Sequence, residues 1–150
     1  MNENKPKSYV ANSETDQVSR ALLVWLNEYT DKPALINYEY LEDDAVGMAM
    51  STIQSAYKTR QYIDGSYEAE YQFKIIYRLY PSTSNNKRLA ADELLNALAD
   101  WAVNRTPRPQ IGTDKIVTKM SCNTRSTLFA RYEDGAEDHQ ILMTMTYEVI

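Results

Sequence analysis

The run SYEAEYQFKIIYRLY, residues 66–80, restricts the possible folds of this chain more than any other stretch. Its odd positions are Tyr67, Ala69, Tyr71, Phe73, Ile75, Tyr77 and Leu79, and its even positions are Glu68, Glu70, Gln72, Lys74, Ile76, Arg78 and Tyr80. Successive side chains of a β-strand point to opposite faces, so the alternation describes one strand with an apolar face and a wet face. At about 3.3 Å per residue it would extend roughly 50 Å, whereas an ordinary strand has about 5–6 residues. The preceding pair Asp64-Gly65 favours a tight hairpin turn and joins this strand to one running from near Val46 to Ile63. A two-residue turn sets Ile63 opposite Ser66, and Met50, Ala56 and Tyr62 opposite Leu79, Phe73 and Tyr67. Lys58 and Arg60 then lie farther out on the same face, so the base of the hairpin is expected to pack on a core and its tip to project.

Two helices frame the hairpin. Val18, Ala21, Leu22, Trp25, Leu26 and Tyr29 recur at helical spacing after Ser13, which can cap the helix start, with Glu14 and Asp16 near the positive end of its dipole. Ala91, Leu94, Leu95, Leu98 and Ala102 form a second stripe, begun by a cap at Ser84 or Asn85 and ended by the two prolines of TPRPQIG. PALINYEYL predicts a strand over about Ala34–Leu41, and EDDAVG turns the chain after it. DKIVTKMSC, STLFARY and HQILMTMTYEVI predict three more strands, the last two joined by EDGAED. The resulting order is α-β-β-β-α-β-β-β, an α+β fold. The sheet is expected to be mixed but mainly antiparallel, with both helices stacked on one face, because two helices cannot cover both faces of six strands. Residues 1–12 are polar and unpatterned and read as a flexible arm; residues 13–150 read as one domain. No internal repeat or low-complexity tract is visible.

Composition narrows the function mainly by exclusion. A net charge of −5 disfavours nonspecific grip on duplex DNA. One cysteine, Cys122, forbids an intrachain disulfide and fits a reducing compartment. No apolar run reaches the roughly 18–20 residues of a membrane span, and the first residues lack the apolar core of a secretory signal, so a soluble protein made in cytoplasm is expected. His139 is the single histidine, without a nucleophile in a recognisable local motif, and reads as a solvated residue at a strand start. One His and one Cys are too few for a zinc site. The acidic groups Glu42-Asp43-Asp44 and Glu133-Asp134 with Glu137-Asp138 match no calcium-loop spacing and read as solvated turns. Four scattered glycines make no phosphate-binding loop. The residues therefore predict no catalytic set, no metal and no cofactor. Lys87, Arg88, Arg105 and Arg108 remain as cations able to meet an acidic partner. Twelve tyrosines suit broad sheets and interfaces.

The succession VSRALLVWLNEY, the long Tyr-rich hairpin leading into YRLYPSTSNNKRLAADELLNALADWA, and the closing TYEVI resembles the tail terminator proteins of long-tailed bacteriophages. It looks most like the small proteins known as minor capsid proteins in phages and prophages of Gram-positive bacteria. The resemblance spans about residues 14–150 and rests on element order and the second-helix segment, with no catalytic motif. It implies a hexameric ring that caps the head-proximal end of the tail tube, stops tube polymerisation and joins tail to head. The implied partners are other copies of the chain, the tail tube protein and a head–tail connector or stopper. DNA would pass through the channel without specific binding, and the protein would reside in the virion after assembly in the host cytoplasm. A neck or head-completion subunit, a tail-tube subunit, and a small metal-dependent enzyme using the acidic turns are the alternatives. For the subunit or partner interface the expected residues are Arg60, Tyr62 and Asp64 at the hairpin tip, with Arg105 and Arg108 in the proline loop.

Overall fold

In a computed structural model, residues 7–41, 46–81 and 83–150 are described. Two helices, α1 (Asn12–Leu26) and α2 (Asn85–Asn104), accompany six strands: β1 (Ser8–Tyr9), β2 (Ile36–Tyr38), β3 (Gly47–Gln61), β4 (Tyr67–Leu79), β5 (Lys115–Arg131) and β6 (Glu137–Val149). The sheet order is β1-β3-β4-β6-β5, with β2 also paired to β3. Every pairing is antiparallel except β2–β3. The fold is α+β, as the alternation and the helical stripes predict.

β4 is central, held by β3 on one side and β6 on the other. Its odd side chains Ala69, Tyr71, Phe73 and Ile75 lie in one buried cluster with Ile141, Met143, Met145 and Tyr147 of β6. From α1, Val18, Leu22, Trp25 and Leu26 join that cluster, and from α2, Leu95, Leu98, Ala99 and Ala102. Both helices therefore cover the same face, and Trp25 and Trp101 meet where they approach, with ring centroids 4.8 Å apart. The opposite face carries the even residues of β4 and β6 and has no helix over it among the described residues.

Buried hydroxyls on the covered face are paired. Tyr71 Oη lies 2.7 Å from both Ser19 Oγ of α1 and Thr52 Oγ1 of β3. Tyr147 and Tyr67 both donate to the Glu14 carboxylate in the first turn of α1. Burial first, and Glu14 second, push both phenols far above their ordinary pKa, so they stay donors at any working pH. Glu14 thus clamps the start of α1 onto two strands.

Local reasons account for most departures from the sequence reading. The first helix is capped at Ala11 without a side-chain bond rather than at Ser13, which lies within its first turn beside the Glu14 that meets the two tyrosines. Residues 8–10, expected in the arm, are pinned: Ser8 and Tyr9 pair with Lys58 and Tyr57, and Val10 is buried with its N–H bonded to the Ala56 carbonyl. Residues 1–6 of that arm lie outside the described residues, as does most of the Glu42-Asp43-Asp44 turn region, residues 42–45. β2 is shorter than expected and pairs parallel to β3. The Asn27 side chain holds both the N–H and the carbonyl of Ile36, and Glu39, at φ 55, turns its carboxylate onto Thr52 N and Ser51 Oγ.

The two strands expected over 114–122 and 126–132 are one 17-residue strand. The polar Asn123-Thr124-Arg125 segment between them is taken up by β-bulges. Helix α2 and β6 satisfy its neighbourhood: Asn96 accepts from Ser126 N, Asp100 pairs with Arg125 at 2.8 Å, and Asn123 accepts from Thr144. The β3–β4 register also differs from expectation. Met50 lies opposite Ile75, not Leu79, and Thr52 rather than Ala56 opposes Phe73. The connection has three residues, Ile63-Asp64-Gly65, closed by Tyr62 N–H donating to the Ser66 carbonyl, and three bulges follow along β3. Gly65 alone takes positive φ, at 91°, which fits a turn followed by a left-handed residue.

Candidate functional site

The residues expected at an interface fall in two places. Arg60 sits on β3 opposite Glu68, and Tyr62 and Asp64 belong to the adjoining turn, all three exposed. Asp64 Oδ1 accepts from the N–H and hydroxyl of Ser66, at 3.0 and 2.6 Å, and these bonds hold its carboxyl below the usual range. Arg105 and Arg108 follow α2. Arg108 Nη1 donates to the Ala102 and Val103 carbonyls at 3.1 and 2.6 Å, satisfying the open end of the helix. Arg105 lies 5.8 Å from the Trp101 ring and 3.7 Å from Glu28, two residues past the end of α1. No described contact joins these two arginines to the hairpin tip, so the structure does not assemble the five residues into one site. Arg108 is occupied as a helix cap.

A feature missed by the sequence reading is that both long hairpins end in the same turn. Tyr62-Ile63-Asp64-Gly65-Ser66 and Tyr132-Glu133-Asp134-Gly135-Ala136 share every backbone bond: the Tyr N–H to the fifth carbonyl, the Gly N–H back to the Tyr carbonyl, and the Asp carboxylate accepting the fifth N–H. Gly65 and Gly135 have φ of 91° and 92°. The motif Tyr-x-Asp-Gly-small was readable as a repeat, but seventy residues separate the copies. Because β4 and β6 are antiparallel, the tips project from opposite ends of the sheet. Ile63 on the first tip is fully exposed; Glu133 takes the same place on the second.

Beneath the second tip lies a charged network that contradicts the solvated reading of residues 137–139. Glu137, Asp138 and His139 are each only 2% exposed. Glu137 receives Arg88 of α2 through bonds of 2.8–3.0 Å and Arg131 at 3.1 Å, and His139 Nε2 lies 3.3 Å away. Arg88, first, holds the Glu137 carboxyl down at about 2. His139 Nδ1 lies 2.8 Å from Asp92 of α2, which also accepts from Ser126 Oγ at 2.7 Å. Asp138 binds Arg78 in a two-pronged pair at 2.7 and 2.9 Å and accepts from Tyr132 at 2.8 Å. The Ser126 hydroxyl points at a carboxylate rather than at the imidazole, so Ser126, Asp92 and His139 do not form a nucleophile–base pair. The network fastens α2 and the second tip to the sheet end, and Arg88 is engaged rather than offered to a partner.

Between α1 and β2 an open hollow of about 400 Å³ is bordered by Thr15, Ser19 and Tyr38. A second, of about 350 Å³, lies between the first turns of α2 and the ends of β3 and β4, walled by Val46, Tyr77, Leu79, Ala90 and Leu94 with Lys87 at its rim. Among the described residues no group of three His, Cys, Asp or Glu is arranged to hold a metal ion. No helix among them is long and apolar enough to cross a membrane.

No family model and no curated protein matches the chain. One solved structure aligns over 94% of this chain and 96% of its own at 13% identity, with a TM-score of 0.46. A likeness of that degree assigns no activity.

Proposed function

We propose that this chain is a structural subunit of a phage tail, a tail terminator that closes with its own copies into a ring on the tail tube. One observation carries the reading: the helices cover one face of the sheet only, and among the described residues the other face has no covering element and the 17-residue outer strand β5 has no strand paired along its free edge. A sheet left open in this way offers surfaces to protein neighbours, and a rim of exposed strand is a template for association. The whole-chain sequence resemblance supplies the kind of assembly. A ring of six would carry 6 × −5 = −30 formal charges, which suits a channel that passes DNA without holding it. In this reading the tail tube protein and a head–tail connector are the axial partners, the virion is the final location, and no bond is made or broken.

Light scattering at high protein concentration is expected to show an assembly near 6 × 17.3 kDa, about 104 kDa. Deleting the gene is expected to give overlong tails; normal tails that fail to join heads would assign the chain to the neck instead. Replacing Arg60 and Tyr62 together by alanine is expected to shift the assembly toward monomer without unfolding it, and an unchanged mass would remove both from the contact.

A further inference from the structure

We infer that copies associate head to tail by seating Ile63 of one subunit in the groove between α2 and the β3–β4 end of the next, an assignment that rests on the ring reading and specifies its contact. Ile63 is the most exposed large apolar side chain of the described residues, and it is not held loosely. The Tyr62–Ser66 turn around it is closed by two backbone bonds and two bonds to Asp64. A rigid apolar knob loses little conformational freedom on docking. The groove that matches it is lined by Val46, Leu79, Ala90 and Leu94, and its volume of about 350 Å³ is ample for a branched aliphatic side chain and its flanking turn.

The knob cannot fill the groove of its own chain. The tip adjoins Tyr67, whereas the groove includes Leu79 at the other end of the 13-residue β4, about 40 Å away at roughly 3.3 Å per residue. Only another molecule brings them together, and the contact is between unlike patches, which repeats around a ring and is satisfied when the ring closes. Charge agrees with this occupant. Asp64 follows Ile63 directly, with Glu148 bordering the same tip, while Lys87 at the groove rim meets no acidic side chain among the described residues. The second tip, with Glu133 in place of isoleucine, presents no equivalent knob.

The test uses the full chain in a Cys122→Ser background, carrying Ile63→Cys, Ala90→Cys or both. Mild oxidation is expected to give a ladder of covalent multimers from the double variant, only dimers from a mixture of the two single variants, and none from either single variant alone. Separately, Ile63→Lys is expected to weaken self-association roughly ten- to a hundredfold, the effect of exposing one large apolar side chain, with the monomer fold intact by circular dichroism. A ring that persists in Ile63→Lys and gives no ladder overturns this contact and leaves the ring reading standing. Cross-linking of Ile63→Cys with itself overturns it in favour of a symmetric tip-to-tip pair. A wild-type chain that stays monomeric at all concentrations, alone and with tail tubes, overturns both.

Discussion

Replacing Phe73 by alanine is expected to destabilise the isolated subunit by about 3–5 kcal/mol, read as a lower denaturation midpoint at unchanged protein concentration. Phe73 is fully buried on the covered face of β4, 5.9 Å from the Tyr71 ring and opposite Met143 and Thr52. Removing the ring leaves a cavity that the flanking strands cannot close, since both are locked in ladder register. A domain of this size is stable by only about 5–15 kcal/mol, so the variant is expected to be partly unfolded at modest denaturant. The experiment also decides what the tyrosine-rich ladder does. A strand this long invites the idea that its apolar face joins one subunit to the next. If it did, Phe73→Ala would spare the monomer and abolish only the assembly. Phe129→Ala supplies the contrast: Phe129 is half exposed beyond the helices, with Lys74 Nζ 4.9 Å from its ring, and its loss is expected to cost less than about 1 kcal/mol. Equal effects from the two substitutions would mean that the covered face is not the interior.

That interior position was half legible in the sequence. The alternation from Tyr67 to Leu79 correctly separates the two faces of β4, because period-two patterning is a local property. What covers the apolar face is not local. Tyr71 is buried because α1 brings Ser19 to its hydroxyl across 52 residues, and Tyr67 and Tyr147 are tethered because Glu14 reaches both. The helical stripes were readable for the same reason as the strand, and Ser84 serves as the cap of α2, accepting from Lys87 N. Register was not readable, because both β3 and β5 carry bulges, and the interrupted backbone is met by groups distant in sequence, as Asn96 of α2 does for Ser126 in β5 and Glu39 for Thr52 in β3. Of the expected interface residues, Arg60, Tyr62 and Asp64 do stand at an exposed tip. Arg108 is instead used by the helix it follows, a role set by the path of the proline loop back toward the last turn of α2. The neighbouring Ile63 is more exposed than Tyr62, but an isoleucine beside a turn reads from sequence as the end of a strand.

The Glu137→Gln variant is expected to lose on the order of 2 kcal/mol at neutral pH, and the loss is expected to vanish in acid. Glutamine keeps the volume, so the change isolates charge. It leaves Arg88 and Arg131 without their shared anion and takes one acceptor from the buried His139. Both arginines remain partly in water, which limits the cost below that of a fully buried pair. The direction with pH follows from the carboxyl, held at about 2 in the folded chain against an ordinary 4.5. A lowered carboxyl stabilises the fold above its unfolded value and ceases to do so as pH falls through its folded value. The wild type should therefore lose its advantage over Glu137→Gln progressively between about pH 4.5 and 2, and the two should converge near pH 2. Asp64, Asp100 and Asp114 are also lowered, by their hydrogen-bond partners, but they are common to both proteins and cancel in the difference. Urea denaturation of the pair at pH 7, 4 and 2.5 measures it. A difference that stays constant across this range would assign the effect to packing and not to the ion pair. Because Arg88 sits one residue after Lys87, the same variant also reports on the groove beside α2. Weaker self-association at neutral pH, with the fold still intact, would show that the network sets the position of that wall.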